Sequence, residues 1–311
     1  MLKRHRGELL LIAGAVFFSA NGVVSKWVLE SGLSAMRMTQ FRSTFAFLVF
    51  FIYLALRNRE SMKAKLSEIP TLFAFGIFGF AAVQGFYFFS IARLPVSIAL
   101  IIEFTAPMWI ALWLRFVRKE SVSSSMWVGL ALGLSGLTLL AQVWRGLTFD
   151  GLGIISSLLD ALALATYFLM SGALGNKRGG PELLMWGLGT TALFFAIVQP
   201  WWSYPTSILS KSIELHGRFA GHHLPGWLLL TYVVLLGTVL PYFCVIEGVR
   251  ATNPSTASVI GMLEPVLAGV FAWIALNERF NLIQLLGAGV VLVGIYIADK
   301  ASTKNESAEV K

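Results

Sequence analysis

Residues 101-IIEFTAPMWIALWLRFVRKE-120 set a carboxylate, Glu103, four residues before a proline inside a run that is otherwise almost wholly apolar. Residues 261-GMLEPVLAGVFAWIALNER-279 do nearly the same again. Shifting the chain by 158 residues lays the first stretch on the second without a gap: Ser97 meets Ser255, Ala99 meets Ala257, Pro107 meets Pro265, Glu120 meets Glu278, Gly129 meets Gly287 and Gly136 meets Gly294. Breakers and glycines punctuate helices, so their agreement marks an internal repeat. A smaller shift, near 146, brings Gly7 onto Gly153, and the longer loop around 203-SYPTSILSKSIELHGRFAGHHLPG-226 absorbs the difference.

Of the 311 residues, 57% are hydrophobic and 13% charged, against roughly 25% charged in an ordinary soluble domain. Most of this surface therefore faces something other than water. A bilayer core about 30 Å thick takes about 20 helical residues per crossing. Ten apolar runs of that size are expected to be membrane helices, at 8–29, 36–56, 70–92, 95–116, 122–142, 151–173, 182–203, 225–247, 254–276 and 281–299. Lys3-Arg4-His5-Arg6 precedes the first run as it would in a secretory signal, but the run is as long as a full span and has no small-x-small cleavage site, so a retained helix is expected. With the N terminus in the cytoplasm, sixteen of the 24 Lys and Arg fall on that side and seven outside, which puts both termini in the cytoplasm by the positive-inside rule. The net charge of +8 is thus a topology signal, with no aromatic-interleaved basic stripe that asks for nucleic acid.

The fold class expected is all-α: residues 1–145 and 146–299 as two five-helix repeats, and a polar, disordered cytoplasmic tail at 300–311. Five is odd, so the second copy enters the membrane from the opposite side and the repeats are inverted. Their charges agree, since 115-RFVRKE-120 is strongly basic and 276-LNERF-280 has lost that excess. Inverted repeats let two halves exchange roles around one central site, the architecture of secondary transporters.

At these residues the chain resembles the drug/metabolite transporter superfamily, in particular its ten-helix EamA-type members, over nearly its whole length. The likeness is carried by 92-ARLPVSIALIIEFTAP-107 with Glu120 and the glycine-rich helix after it. It is carried also by 248-GVRATNPSTASVIGMLEPVLAGVFAWIALNER-279, which is similar to the family's "LEPV … E" signature. Asn21 to Lys26 and 41-FRSTFAF-47 resemble the family's first two helices, although Ser19-Ala20 stands where the family has Trp-Gly. The resemblance implies a multi-pass metabolite carrier of the plasma (inner) membrane, exporting amino acids or related solutes through a cavity lined by both repeats.

Glu103 is the first candidate for chemistry. A carboxylate near mid-membrane is costly unless it faces a cavity or a partner. Pro107 cannot donate to the carbonyl of Glu103, so carboxylate and freed carbonyl together suit a solute ammonium or a coupling proton. Glu264, directly before Pro265, stands at nearly the matching place, and because the family shares this Glu-Pro pair across solutes it is read as a packing or gating group as well as a candidate solute contact. The prolines free the Glu103 and Gly261 carbonyls at equivalent depths, a marker of a binding region. Gln84 and Tyr242 coincide under the shift of 158 and could orient a solute by hydrogen bonds. Asn21 and Tyr167 read the same way, and Trp109 and Trp273 lie deep enough to line a cavity. Other tryptophans, such as Trp127, Trp144 and Trp227, fall near span ends, where indoles anchor at headgroups.

Lys26 can snorkel from the first helix, whereas Arg42 lies deeper in the second and is expected to pair with a carboxylate or carbonyl, with Asp160 a candidate partner for either. Glycines at 129, 133 and 136 and at 287, 289 and 294 predict close helix contacts, within a scaffold or a homodimer. The partners expected are a small-molecule solute and membrane lipid. No phosphate loop, HExxH or Gly-x-Ser-x-Gly elbow is present, the four His lie outside the runs, and the single Cys244 cannot make an intrachain disulfide, so neither metal, cofactor nor enzymatic centre is expected. The alternatives are an importer or facilitator of a nucleoside or nucleotide sugar, and a membrane-embedded enzyme acting on lipid.

Overall fold

The structure is a computed structural model that describes residues 2–94, 96–145, 150–277 and 280–309. Among these residues ten helices are long and apolar enough to cross a membrane: His5–Glu30, Ala35–Arg57, Ile69–Ile91, Ile98–Val117, Ser124–Ala141, Gly151–Gly175, Gly180–Val198, Gly226–Ala251, Pro254–Leu276 and Leu282–Ser302, called spans 1 to 10. Side chains such as Leu56 (84% exposed), Phe116 (71%) and Ile197 (73%) stand on their outer faces, a surface stable only in hydrocarbon. Glu278, the echo of Glu120, and Arg279 lie outside the described residues.

Most spans lie within a few residues of the expected runs. Span 7 stops at Val198, five residues short of the expected 203, because Gln199 takes an extended conformation ahead of Pro200. Proline's ring disfavours α backbone in the residue before it, and that steric limit overrides the apolar Trp201-Trp202 that prolongs the run in sequence. The helix of span 10 continues to Glu309, through backbone for which a disordered tail is expected.

The chain also departs from purely helical structure. Within the long loop, β1 (Ser212–Glu214) pairs antiparallel with β2 (His223–Pro225), Ile213 opposite Leu224. Ile213 is buried with Tyr204, Ile208 and Leu215 against Val24, Val28 and Leu230, so the loop is packed over the ends of spans 1 and 8 remote from the termini. Arg37 ties it to span 2 by donating to the Pro200 carbonyl at 3.1 Å and to Ser203 Oγ at 2.7 Å.

Spans 5 and 10 touch backbone to backbone at Gly129, Gly136, Gly287 and Gly294, as the glycine spacing predicts for a scaffold, whereas Gly289, expected to join them, has nothing within 4 Å of the position of a Cβ because it faces away from span 5. A Cβ on Gly136 would sit 2.6 Å from Val291 N, and one on Gly294 would sit 2.5 Å from Gly133 N. Apolar burial gives no drive for association in lipid, so the van der Waals contact of bare helix surfaces supplies it.

At the end that carries the termini, Arg178 Nη2 donates to Glu68 Oε2 at 2.5 Å and to the Lys63 carbonyl at 3.0 Å, clipping the loop before span 3 to the loop before span 7. The Arg178 guanidinium, helped by the Lys65 backbone N–H, holds the Glu68 carboxyl below its ordinary value of 4.5. The folded value is the lower one, so this contact stabilises fully above pH 4.5 and is lost as pH falls through the folded value. Glu68→Gln is therefore expected to lower the unfolding temperature at neutral pH by about a degree or two and to flatten its fall below pH 4.5, read by thermal unfolding in detergent. Identical acid profiles for mutant and wild type would remove Glu68 from the account.

Candidate functional site

Two spans are broken at equivalent places. In span 4, helix Val96–Glu103 ends and Ala106–Leu112 begins after Phe104 and Thr105. Pro107 has no N–H to close the turn on the Glu103 carbonyl, so the helix restarts there. Thr105 stabilises the joint by donating from Oγ1 to the Ile102 carbonyl at 2.6 Å. In span 9, Pro254–Gly261 gives way to Leu263–Leu276, with Pro265 leaving the Gly261 carbonyl in the same position. In span 8 a wider π turn at Leu235–Val239 precedes Pro241.

The breaks surround a cavity of about 760 Å³. Its lining runs from Glu30 and Ile91, at the end opposite the termini, inward to Glu103, Pro107, Ser258 and Gly261. Six of the seven expected solute contacts line it: Asn21, Gln84, Glu103, Tyr167, Tyr242 and Glu264. Gln84 Nε2 donates to Tyr242 Oη at 3.4 Å, so the two residues related by the repeat shift meet. Tyr242 packs edge-on against Phe18 at 5.0 Å, and Phe80, in the core behind the cavity lining, lies 5.0 Å from both Tyr167 and Tyr242. Asn21 Oδ1 and Tyr167 Oη are buried without a hydrogen-bond partner. Asn21 lies so close to span 8 that a Cβ on Gly237 would collide with its amide.

Two expected residues belong elsewhere. Trp109 does not line the cavity: its Nε1 donates to Thr105 Oγ1 at 3.1 Å, one turn back on its own helix, and its ring packs in the apolar core. The break hands the indole an acceptor within the helix, which settles its direction. Trp273 is 47% exposed beneath the Arg218 guanidinium, away from the cavity. Pro265 shapes span 9 without lining the cavity, while Pro107 does both.

The charged groups sort out in ways the sequence leaves open. Glu264 is near enough to Arg42 for an electrostatic interaction, and Glu103 near enough to both Glu264 and Asp160. Asp160 is 1% exposed, outside the cavity, with Oδ1 unpartnered, so it is not the ion-pair partner of Lys26 or Arg42. Ser19, standing where the family resemblance has Trp, donates from Oγ to the Glu264 carbonyl at 2.9 Å and fastens span 1 to the break in span 9. Tyr87 and Ser25 also face the cavity. Helical spacing could have found both, since Tyr87 follows Gln84 by three residues and Ser25 follows Asn21 by four. Among the described residues no three His, Cys, Asp or Glu gather as a metal site requires.

The end carrying the termini holds a charged network. Arg250 donates to both carboxylate oxygens of Glu247, at 2.6 and 2.7 Å, and to the Gly175 carbonyl at 3.0 Å, while Gly180 N donates to Glu247 Oε1 at 3.0 Å. Ile110, Ile246 and Val249 are buried together in the apolar core. The arrangement is a largely apolar chamber among the spans that carries a few charged and polar groups, with its lining extending toward the end opposite the termini.

Comparison with known proteins agrees with that geometry. The model of the EamA-like transporter family matches twice, over residues 5–142 and 151–298. An uncharacterized transporter, YcbK of Bacillus subtilis, is 23% identical over 292 residues, covering 92% of this chain and 90% of its own. The threonine/homoserine exporter RhtA of Escherichia coli K12 is 28% identical, covering 74% of this chain and 70% of its own. One solved crystal structure superposes with a TM-score of 0.76 at 15% identity, over 97% of this chain and 99% of that one, a likeness of fold alone. The chain belongs to the EamA-like transporter family, and it is a multi-pass membrane transporter and not an enzyme.

Proposed function

We propose that the protein is a secondary transporter that exports amino acids or related small metabolites across the cell membrane by alternating access. The observation that carries this reading is the cavity itself: it holds the carboxylates of Glu103 and Glu264 and the guanidinium of Arg42, at helix breaks in spans 4 and 9. Charged groups at that depth are costly unless a solute or a partner uses them. The relative that exports threonine and homoserine supports an amino acid as cargo. Residues 1–145 and 146–299 act as two inverted five-helix repeats with both termini in the cytoplasm, a reading supported by five spans within each stretch that the family model matches. On that topology the chamber faces outward, and the Arg250–Glu247 network is the cytoplasmic seal that must open for loading.

The test is efflux from preloaded proteoliposomes across amino acids, nucleosides and sugars, with and without an inward proton gradient. Saturable efflux confined to amino acids is the expected result. Efflux of nucleosides or sugars alone would replace this reading with that of another carrier.

A further inference from the structure

Arg42 is 9% exposed in span 2, and with Met38, one turn before it, it faces the cavity. Other arginines of this chain are held by several acceptors: Arg37 by Gln40, Pro200 and Ser203, Arg178 by Glu68, Ser61 and Lys63, and Arg250 by Glu247 and Gly175. Arg42 makes no hydrogen bond and no ion pair within the described residues. Its charge is met only at longer range, by Glu264. A guanidinium is a rigid fork of donors that fits a carboxylate with two parallel bonds, and a buried one left without acceptors is costly. The missing acceptors are most simply those of the cargo.

We propose that Arg42 is the anion-binding pole of the solute site, taking the carboxylate of a solute whose ammonium is held at Glu103, so that the transported class is zwitterionic amino acids. This rests on the exporter reading above and sharpens it. A phosphate dianion fits worse, because Glu103 and Glu264 share the chamber with Arg42 and repel a second negative charge. A zwitterion adds no net charge and answers both poles. Neutral sugars leave both poles unanswered, and amines without a carboxylate leave Arg42 as it is.

The test is binding by purified protein in detergent to three matched sets: α-amino acids, the corresponding amines lacking the carboxylate, and the corresponding carboxylic acids lacking the ammonium. Wild type is expected to prefer the amino acids. Arg42→Gln is expected to weaken amino acids and carboxylic acids by about ten-fold or more, the scale of a lost charge-assisted hydrogen bond, and to leave the amines unchanged. Arg42→Lys is expected to keep part of the affinity and to show that the position tolerates change. If Arg42 served only to neutralise Glu264, the double variant Arg42→Gln/Glu264→Gln would recover the lost affinity, and that recovery overturns the proposal. Undiminished amino-acid binding by Arg42→Gln overturns it also, while leaving the exporter reading intact. Binding of carboxylic acids but not amino acids, lost in Arg42→Gln, would keep Arg42 as the anion pole and overturn the amino-acid reading. Failure of wild type to bind any carboxylate solute overturns both.

Discussion

Glu103→Gln is expected to reduce amino-acid efflux from proteoliposomes by at least about ten-fold at every pH, because it removes the charge placed at the joint of span 4. The side chain is nearly isosteric, so the break made by Pro107 and the Thr105 bond to Ile102 remain and the cavity keeps its shape. What changes is the charge available to an ammonium or a proton. Retention of tight solute binding with loss of gradient stimulation would assign Glu103 to coupling, while loss of both would assign it to the solute. Full gradient-stimulated efflux by the mutant would make Glu103 structural. Glu264→Gln is a useful comparison, since its charge is partly answered by Arg42 and that of Glu103 is not.

The second large effect concerns folding. Gly136→Ala places a Cβ 2.6 Å from Val291 N and 2.7 Å from the Gly287 carbonyl, and no flexible side chain can yield there. Spans 5 and 10 must part, at a cost of about 1–3 kcal/mol that exceeds the roughly 1 kcal/mol gained in helix propensity. Thermal unfolding is expected to show a fall of several degrees. Gly289→Ala, in span 10 but with nothing within 4 Å of its Cβ, is expected to be neutral or slightly stabilising. Gly133→Ala meets only the flexible end of Met262 and is expected to fall between them. Equal unfolding temperatures for Gly136→Ala and Gly289→Ala would contradict the backbone contact.

These two predictions mark what the sequence could and could not reveal. Long apolar runs punctuated by basic and breaker residues locate all ten spans, because crossing a bilayer imposes a length and a composition on each segment separately. The close contact of spans 5 and 10 is legible from the glycines that recur on one face of each helix, while Gly289, on another face, has no close neighbour. The strands at Ser212–Glu214 and His223–Pro225 are only three residues each, too short for a period-two pattern, and they exist because the loop folds onto spans 1 and 8. Within the site, Glu103, Gln84 and Tyr242 are legible because the repeat marks equivalent depths and a polar group at depth needs a reason. Direction around the helix axis is harder to read. Trp109 has the depth of a cavity residue but turns to Thr105, and Arg42, for which depth alone predicts a paired charge, faces the chamber with no hydrogen bond or ion pair among the described residues. Both outcomes depend on what neighbouring spans present.

The central claim, that the exported solute passes through this chamber, is tested most directly by protection of a cysteine placed inside it. Gly22 lines the cavity, is exposed to it and has open space for 4 Å around the position a Cβ would take, so Gly22→Cys fits without distortion, and Cys244→Ser removes the native thiol. A membrane-impermeant thiol reagent added from the side opposite the termini is expected to label the introduced thiol of the Gly22→Cys/Cys244→Ser variant, and saturation with the amino acid exported in the efflux assay is expected to slow labelling several-fold. Labelling at the same rate with and without that solute would contradict the account.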